Sequence, residues 1–139
     1  MEHDSKKLAG ILLIILPTVA FGGVSLLTLL MSPDSGYLDN PLRQDLWRAG
    51  HAHAGILLIL SLVILKYVDE ARLSVVMKNA VRHGAPISAI LIPAAFFLSV
   101  LDAESTEPNA LIYLAYVGFG ILAFTFIALG IGLVRKSRD

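Results

Sequence analysis

Four histidines, His3, His51, His53 and His83, carry most of the chemistry this chain can offer, and the absence of cysteine narrows it at once. Without thiols there are no disulfides, thiolate metal sites, iron–sulfur clusters or cysteine nucleophiles. His3 lies in a terminal segment, and His83 stands beside Arg82 at an expected membrane boundary, where an imidazole needs no special role. The stretch Trp47-Arg48-Ala49-Gly50-His51-Ala52-His53-Ala54-Gly55 is different, because it brings two imidazoles into an otherwise apolar run. Ionisable groups inside a membrane span are costly and mark functional positions by default.

The spacing of that pair limits what it does. On a helix, residues i and i+2 stand about 200° apart, so His51 and His53 cannot chelate one ion together. One of them points at a site, and the other points at a neighbouring helix, a second subunit or the headgroups. His83 falls at the opposite membrane face and completes no site with either. A single imidazole is the donor set of a haem that keeps its sixth coordination position open. The competing reading is a pair of histidines used for polar packing or at the interface.

The elements that must hold these residues are membrane spans. Of 139 residues, 56% are hydrophobic and only 16% charged, with mean hydropathy +0.75, against roughly 25% charged in a soluble domain. The apolar residues collect in four blocks, at 8–31, 49–68, 84–101 and 110–134, each near the ~20 residues a bilayer core requires. The pattern predicts an all-α integral membrane four-helix bundle forming one domain over 1–139. The first block holds 24 residues without a charge, too long for a signal peptide, whose apolar region spans about 7–15 residues. Pro17, Pro86 and Pro93 fall inside blocks and are tolerated where neighbouring helices satisfy the freed backbone groups. The polar connections are then 32–48, 69–83 and 102–109.

Charge sets the expected orientation. Lys6, Lys7, Lys66, Arg72, Lys78, Arg82, Arg135, Lys136 and Arg138 share one side of a four-span chain, and only Arg43 and Arg48 fall on the other. Nine against two is a positive-inside pattern, which puts both termini in the cytoplasm; the expected location is the cell's inner (plasma) membrane, multi-pass. Eleven basic residues balance eleven acidic ones, so no net field points to nucleic acid.

Around the histidine pair, Ala49, Gly50, Ala52, Ala54 and Gly55 clear space for a flat macrocycle or for a close helix. Phe96 and Phe97 are expected at comparable depth on the third span, with Tyr113 and Tyr116 opening the fourth on the same side. Arg48 and Trp47 sit at the headgroup boundary, where a guanidinium pairs with haem propionates or simply anchors the interface. Gly50/Ala54 and Ala128/Gly132 are also small-xxx-small pairs of the kind that pack helices, and boundary Tyr and Trp form ordinary aromatic belts. No phosphate loop, His-Glu-x-x-His or Gly-x-Ser-x-Gly occurs, and Ser61, Ser88 and Ser99 have no persuasive base.

Along most of its length the chain resembles the styrene oxide isomerase family, small four-span membrane proteins that form trimers with haem b between subunits. Lys7-Leu8-Ala9-Gly10, an apolar run and Phe21-Gly22-Gly23 are similar to that family's first span. Trp47 followed by an Ala-His-small-Gly string is similar to the start of its second span, which carries the haem-ligating histidine. Pro108-Asn109 matches the loop before its last span, and Ala115-Tyr116, Phe119-Gly120 and Leu122-Ala123 match that span. The order and spacing of these motifs carry the resemblance. Counting four residues from Trp47 puts the ligand on His51. Matching the local string Ala52-His53-Ala54-Gly55 puts it on His53, the preferred register, with His51 the alternative.

The resemblance implies haem b iron held by His53 or His51 and a homotrimer in the lipid bilayer, and the boundary position of Arg48 would turn its guanidinium toward that cofactor. It further implies a redox-neutral rearrangement, in which ferric iron acts as a Lewis acid on the oxygen of a small apolar epoxide and hydride migration gives an aldehyde. Phe97 and Tyr116 are the expected pocket residues. The chain departs from the family where that family aims its epoxide. Leu57 or Ile59 stands at an asparagine position, Phe97 stands near a tyrosine position, and Asn40, Asn79 and Asn109 are all expected in loops. Two other functions therefore stay open: a non-enzymatic haem protein for electron transfer or gas sensing, and a cofactor-free membrane subunit.

Overall fold

Asparagine and serine caps, more than hydropathy, set where helices begin in the computed structural model, which describes residues 1–135. Helix α1 runs His3–Leu30. Asn40 accepts from the Arg43 amide at 3.0 Å and Pro41 takes the first helical position, so α2 spans Pro41–Tyr67. Ser74 accepts from the Met77 amide at 3.3 Å and opens α3, Val75–Leu98. Asn109 caps a short 3-10 turn, Ala110–Ile112, which leads into α4, Tyr113–Val134. There is no strand among the described residues, and all four helices are long and apolar enough to cross a membrane. The chain is an all-α, four-helix membrane protein.

Three helices start before the expected spans. α1 begins at His3 rather than residue 8, α2 at Pro41 rather than 49, and α3 at Val75 rather than 84. Charge ends a membrane span, but it does not end a helix. Arg43, Arg48, Lys78 and Arg82 therefore extend helices beyond their apolar runs. The connection expected at 69–83 shrinks to 68–74, and Asn79, expected in a loop, lies inside α3. Lys136 and Arg138, counted above with the basic side, lie outside the described residues.

Helix α3 is the spine, packed against α2 on one side and α4 on the other, whereas α1 leans chiefly on α2. Leu57, Ile64, Leu65, Val81 and Ile92 form the buried centre. Close approach of α3 and α4 depends on Gly118, where an added Cβ would come within 2.6 Å of Ile92 Cγ1. The outward faces are apolar, as at Ile14 and Ile90, 79% and 69% exposed, and these surfaces face lipid.

Polar contacts tie the bundle at its two ends. At one end the Asn40 amide group donates to the carbonyls of Ala103 and Ser105 at 2.7 and 2.9 Å, and Arg43 donates to the Leu101 carbonyl at 3.1 Å. At the other, Arg82 is 4% exposed and its guanidinium meets Asp69 at 2.9 Å, Glu2 at 2.9 Å and the Ser5 hydroxyl at 2.9 Å. Asp69 also accepts from the Ser5 hydroxyl and the Glu2 amide. Glu2 reaches Asp69 and Arg72 reaches the Arg135 carbonyl, so the first and last described helices open and close at the α2–α3 connection.

Burial by itself would raise the Asp69 pKa, but the Glu2 amide, Arg82 and Ser5 outweigh it and hold the carboxyl below its ordinary 3.8. The folded value lies below the unfolded one, so this stabilisation is complete above the ordinary value and is lost as pH falls through the folded value. The thermal midpoint of the full chain in detergent is therefore expected to hold through neutral pH and to drop below about pH 4. Asp69→Asn strips Arg82 of its buried partner and should cost about 3 kcal/mol at neutral pH, read as loss of helicity on heating. A variant as stable as the parent would show that this pair does not fasten α1.

Candidate functional site

The two histidines of α2 do face different neighbours, as a 200° separation requires. The His51 ring lies against α1 at its glycine pair. A Cβ on Gly23 would stand 3.1 Å from His51 Nε2 and 3.2 Å from Cε1, and one on Gly22 would stand 3.6 Å from Nδ1. The imidazole thus occupies the space that a side chain at 23 would fill. The ring makes no hydrogen bond among the described residues.

His53 turns the other way, into a seam among α2, α3 and α4. It is half-buried, with the Phe96 ring 5.3 Å from its centroid and the Phe119 ring 5.7 Å away, nearly edge-on at 81°. Its Nδ1 lies 2.7 Å from the Ala49 carbonyl. A carbonyl only accepts, so the bond puts the proton on Nδ1 and leaves Nε2 as the lone-pair nitrogen of the neutral ring. His83 makes the same bond to the Asn79 carbonyl at 2.9 Å on the exposed basic face, so the bond is a local habit of helical histidine. What sets His53 apart is its surroundings: two hydrocarbon rings and, among the described residues, no competing polar partner for Nε2.

The other expected site residues separate into two groups. Phe97, one residue from Phe96 and so 100° around α3, packs elsewhere. A Cβ on Gly50 would come 3.0 Å from Phe97 Cε2, and the Phe97 ring lies 6.1 Å from Trp47. Phe97 therefore belongs to the aromatic cluster at the α2 N-terminal end, where Trp47 donates to the Phe97 carbonyl at 3.2 Å, stacks 5.9 Å from Tyr37 and receives Arg43 4.1 Å above its ring. Burial pushes the Tyr37 phenol up, although Arg48 and Arg43 pull the other way. Arg48 is exposed and its guanidinium meets Asp45 at 2.7 Å. Tyr116, 72% exposed, lies 6.1 Å from Tyr113 and one turn before Phe119 on the same face of α4. The structure thus gathers His53, Phe96 and Phe119, and leaves His51, Phe97 and Arg48 in other contacts.

Among the described residues no three His, Asp or Glu side chains gather around a metal position, so the donor set at the seam is one imidazole. That set suits a macrocycle that brings four ligands of its own. The serines weighed as nucleophiles are engaged: Ser61 donates to the Leu57 carbonyl, Ser88 shares its proton between the carbonyls of Gly84 and Gly118, and Ser99 donates to the Phe96 carbonyl. Sequence reasoning missed Phe119 as a neighbour of His53. The available signal was its i+3 relation to Tyr116, which puts both on one helix face. It also missed the Arg82–Asp69 pair, whose partners sit on different elements and share no local spacing.

No protein-family model, curated protein or solved structure matches the chain. Fold and geometry together define a four-span membrane protein that holds one imidazole in an apolar seam and packs a second against its first helix.

The packing of His51 is directly testable. Gly23→Val should destabilise the fold in detergent by about 1–3 kcal/mol for a clash of this kind, read as a lower thermal midpoint. In a His51→Ala background the same change should cost far less, because the space has been vacated. An undiminished cost in the double variant would mean that the Gly23 contact is not with His51.

Proposed function

We propose that this chain is a membrane haem b protein in which His53 supplies the single protein ligand to iron, with His51 the alternative register. The observation that carries this reading is the contrast between the two rings: His53 keeps Nε2 free between Phe96 and Phe119, while His51 is pressed onto Gly23. The Nδ1 bond to the Ala49 carbonyl would fix the ring's tautomer and orientation and raise the basicity of Nε2, as such partners do for metal-bound histidines. Arg48, two turns into α2, offers a guanidinium to carboxylates of the cofactor in place of Asp45. The seam is only half covered by its own chain, and the resemblance to the styrene oxide isomerase family supports a homotrimer in the inner membrane, with the cofactor between copies.

For activity, we take the epoxide rearrangement that the same resemblance implies. Bound haem supplies ferric Lewis acidity toward an epoxide oxygen. The chain's part is to hold that group through His53, to accept an apolar substrate from the bilayer, and to keep water from the reacting carbons with Phe96 and Phe119. Tyr116 carries a hydroxyl on the same face of α4, whereas Phe97 packs toward Trp47 and contributes at one remove.

One observation favours a second reading, a haem protein for electron transfer or gas binding. Both rings at His53 are hydrocarbon, and buried Leu57 and half-exposed Ile59 stand where the family keeps an asparagine. A hydrocarbon pocket holds a substrate without aiming its oxygen.

Absorption spectra of the purified full chain, expressed with haem supplied, separate these readings. A Soret band in the parent and in His51→Ala, lost or reduced by at least about tenfold in His53→Ala, is the expected result. Aldehyde formation from styrene oxide without added reductant supports the isomerase. Reversible reduction or carbon monoxide binding, with epoxides untouched, supports the second reading. A flat spectrum in the parent overturns both and leaves a cofactor-free membrane subunit.

A further inference from the structure

We infer that the basic end of the protein carries a binding site for an anionic phospholipid, built by Arg72, Arg135 and the groove between the start of α3 and the end of α4. The inference is independent of the haem reading. Arg72 and Arg135 are exposed and cross each other: Arg72 donates through Nη1 to the Arg135 carbonyl at 3.1 Å, and Arg135 through Nη1 to the Arg72 carbonyl at 3.5 Å. The Arg72 amide also donates to the Gly132 carbonyl at 2.8 Å, which fixes the connection against α4. Each guanidinium is thus held against the backbone of the other arginine, and among the described residues neither forms an ion pair with a carboxylate.

Such an arrangement asks for an anion. Each guanidinium has five N–H donors and spends one here, so several remain for phosphate oxygens in the forked geometry arginine favours. The contrast within the molecule is informative, because Arg82, seven residues into α3, is saturated by Asp69, Glu2, Ser5 and Asn79. Arg135 also lines the mouth of a groove of about 280 Å³, whose walls are Leu73, Met77, Phe124, Ile127, Ala128 and Ile131. The groove is nearly all hydrocarbon and opens on the lipid-facing side of α4, where Ile127 is 63% exposed. Two crossed arginines, of which Arg135 lines the apolar groove and Arg72 is bonded to its backbone, fit a headgroup phosphate and one acyl chain of a lipid from the same leaflet. On the orientation that the nine-to-two bias in basic residues implies, that leaflet is the cytoplasmic one, where anionic lipids attract basic segments.

The test is native mass spectrometry of the detergent-purified full chain, given equal amounts of a phosphatidylglycerol and a phosphatidylcholine with identical acyl chains. Phosphatidylglycerol should be retained about tenfold or more over phosphatidylcholine, the scale expected of two arginines near a surface phosphate. The preference should vanish in Arg72→Gln/Arg135→Gln and survive in Lys6→Gln/Lys7→Gln, which removes the same charge elsewhere on that face. Ala128→Phe, which fills the groove and keeps both arginines, should also lower retention of phosphatidylglycerol. Equal retention of the two lipids by the parent overturns the inference even if the arginine variant fails to fold. Equal loss in both double variants overturns it too, by reducing the site to diffuse surface charge. Full retention in Ala128→Phe rejects the groove as the seat of the chain.

Discussion

The hydrocarbon interior of a bilayer offers no hydrogen-bond partners, and the placement of nearly every polar group in this protein answers that constraint. Within the spans, serine and threonine hydroxyls turn back on helix carbonyls: Thr18 to Ile15, Ser25 to Phe21, Thr28 to Val24, Ser61 to Leu57, Ser88 to Gly84 and Thr125 to Ile121. His53 obeys the same rule through Ala49. An imidazole has a second nitrogen, however, and a hydroxyl that donates its only proton is already satisfied as a donor. His53 therefore keeps Nε2 without a hydrogen-bond partner among the described residues, beside Phe96 and Phe119, and that unmet capacity is what the functional reading rests on.

Among the described residues, the buried charges are found at the end of the bundle where Arg82 meets Asp69, and they are used structurally. The Arg82–Asp69 pair fastens the start of α1 to the α2–α3 connection, which matters because α1 otherwise leans chiefly on α2. Toward its far end α1 meets α2 at Gly22 and Gly23, and the His51 ring takes up the space that a side chain at Gly23 would need. At the opposite end of the bundle, Trp47 sits among Tyr37, Arg43 and Phe97 and fixes the first turns of α2. Those turns set the rotation of α2, and with it which neighbour each histidine meets.

Much of this was legible in the sequence. Apolar block length gives four helices, and an i, i+2 spacing on any helix sends His51 and His53 to different neighbours. The starts of α2 and α3 were also written in the chain, as Asn40-Pro41 and Ser74, but hydropathy hides them because it reports where lipid contact ends rather than where the helix does. What could not be read was rotation. Adjacent phenylalanines at 96 and 97 look equivalent in sequence, yet a 100° step sends one to His53 and the other to Gly50 and Trp47. Nor does local spacing betray a contact such as Asp69 with Arg82, or Gly23 with His51, whose register depends on how separate helices slide past one another.

The division of labour between the two imidazoles is most directly tested by chemical rescue. His53→Gly and His51→Gly, expressed with haem, would be followed by their Soret absorption with and without added imidazole. If His53 is the ligand, the band is lost in His53→Gly and returns with imidazole, because the half-open seam admits the free base to the position of the missing ring. His51→Gly then keeps its band unaided, since that change only opens a gap against Gly23. A band that persists in His53→Gly, or one lost and restored at His51, would contradict the assignment.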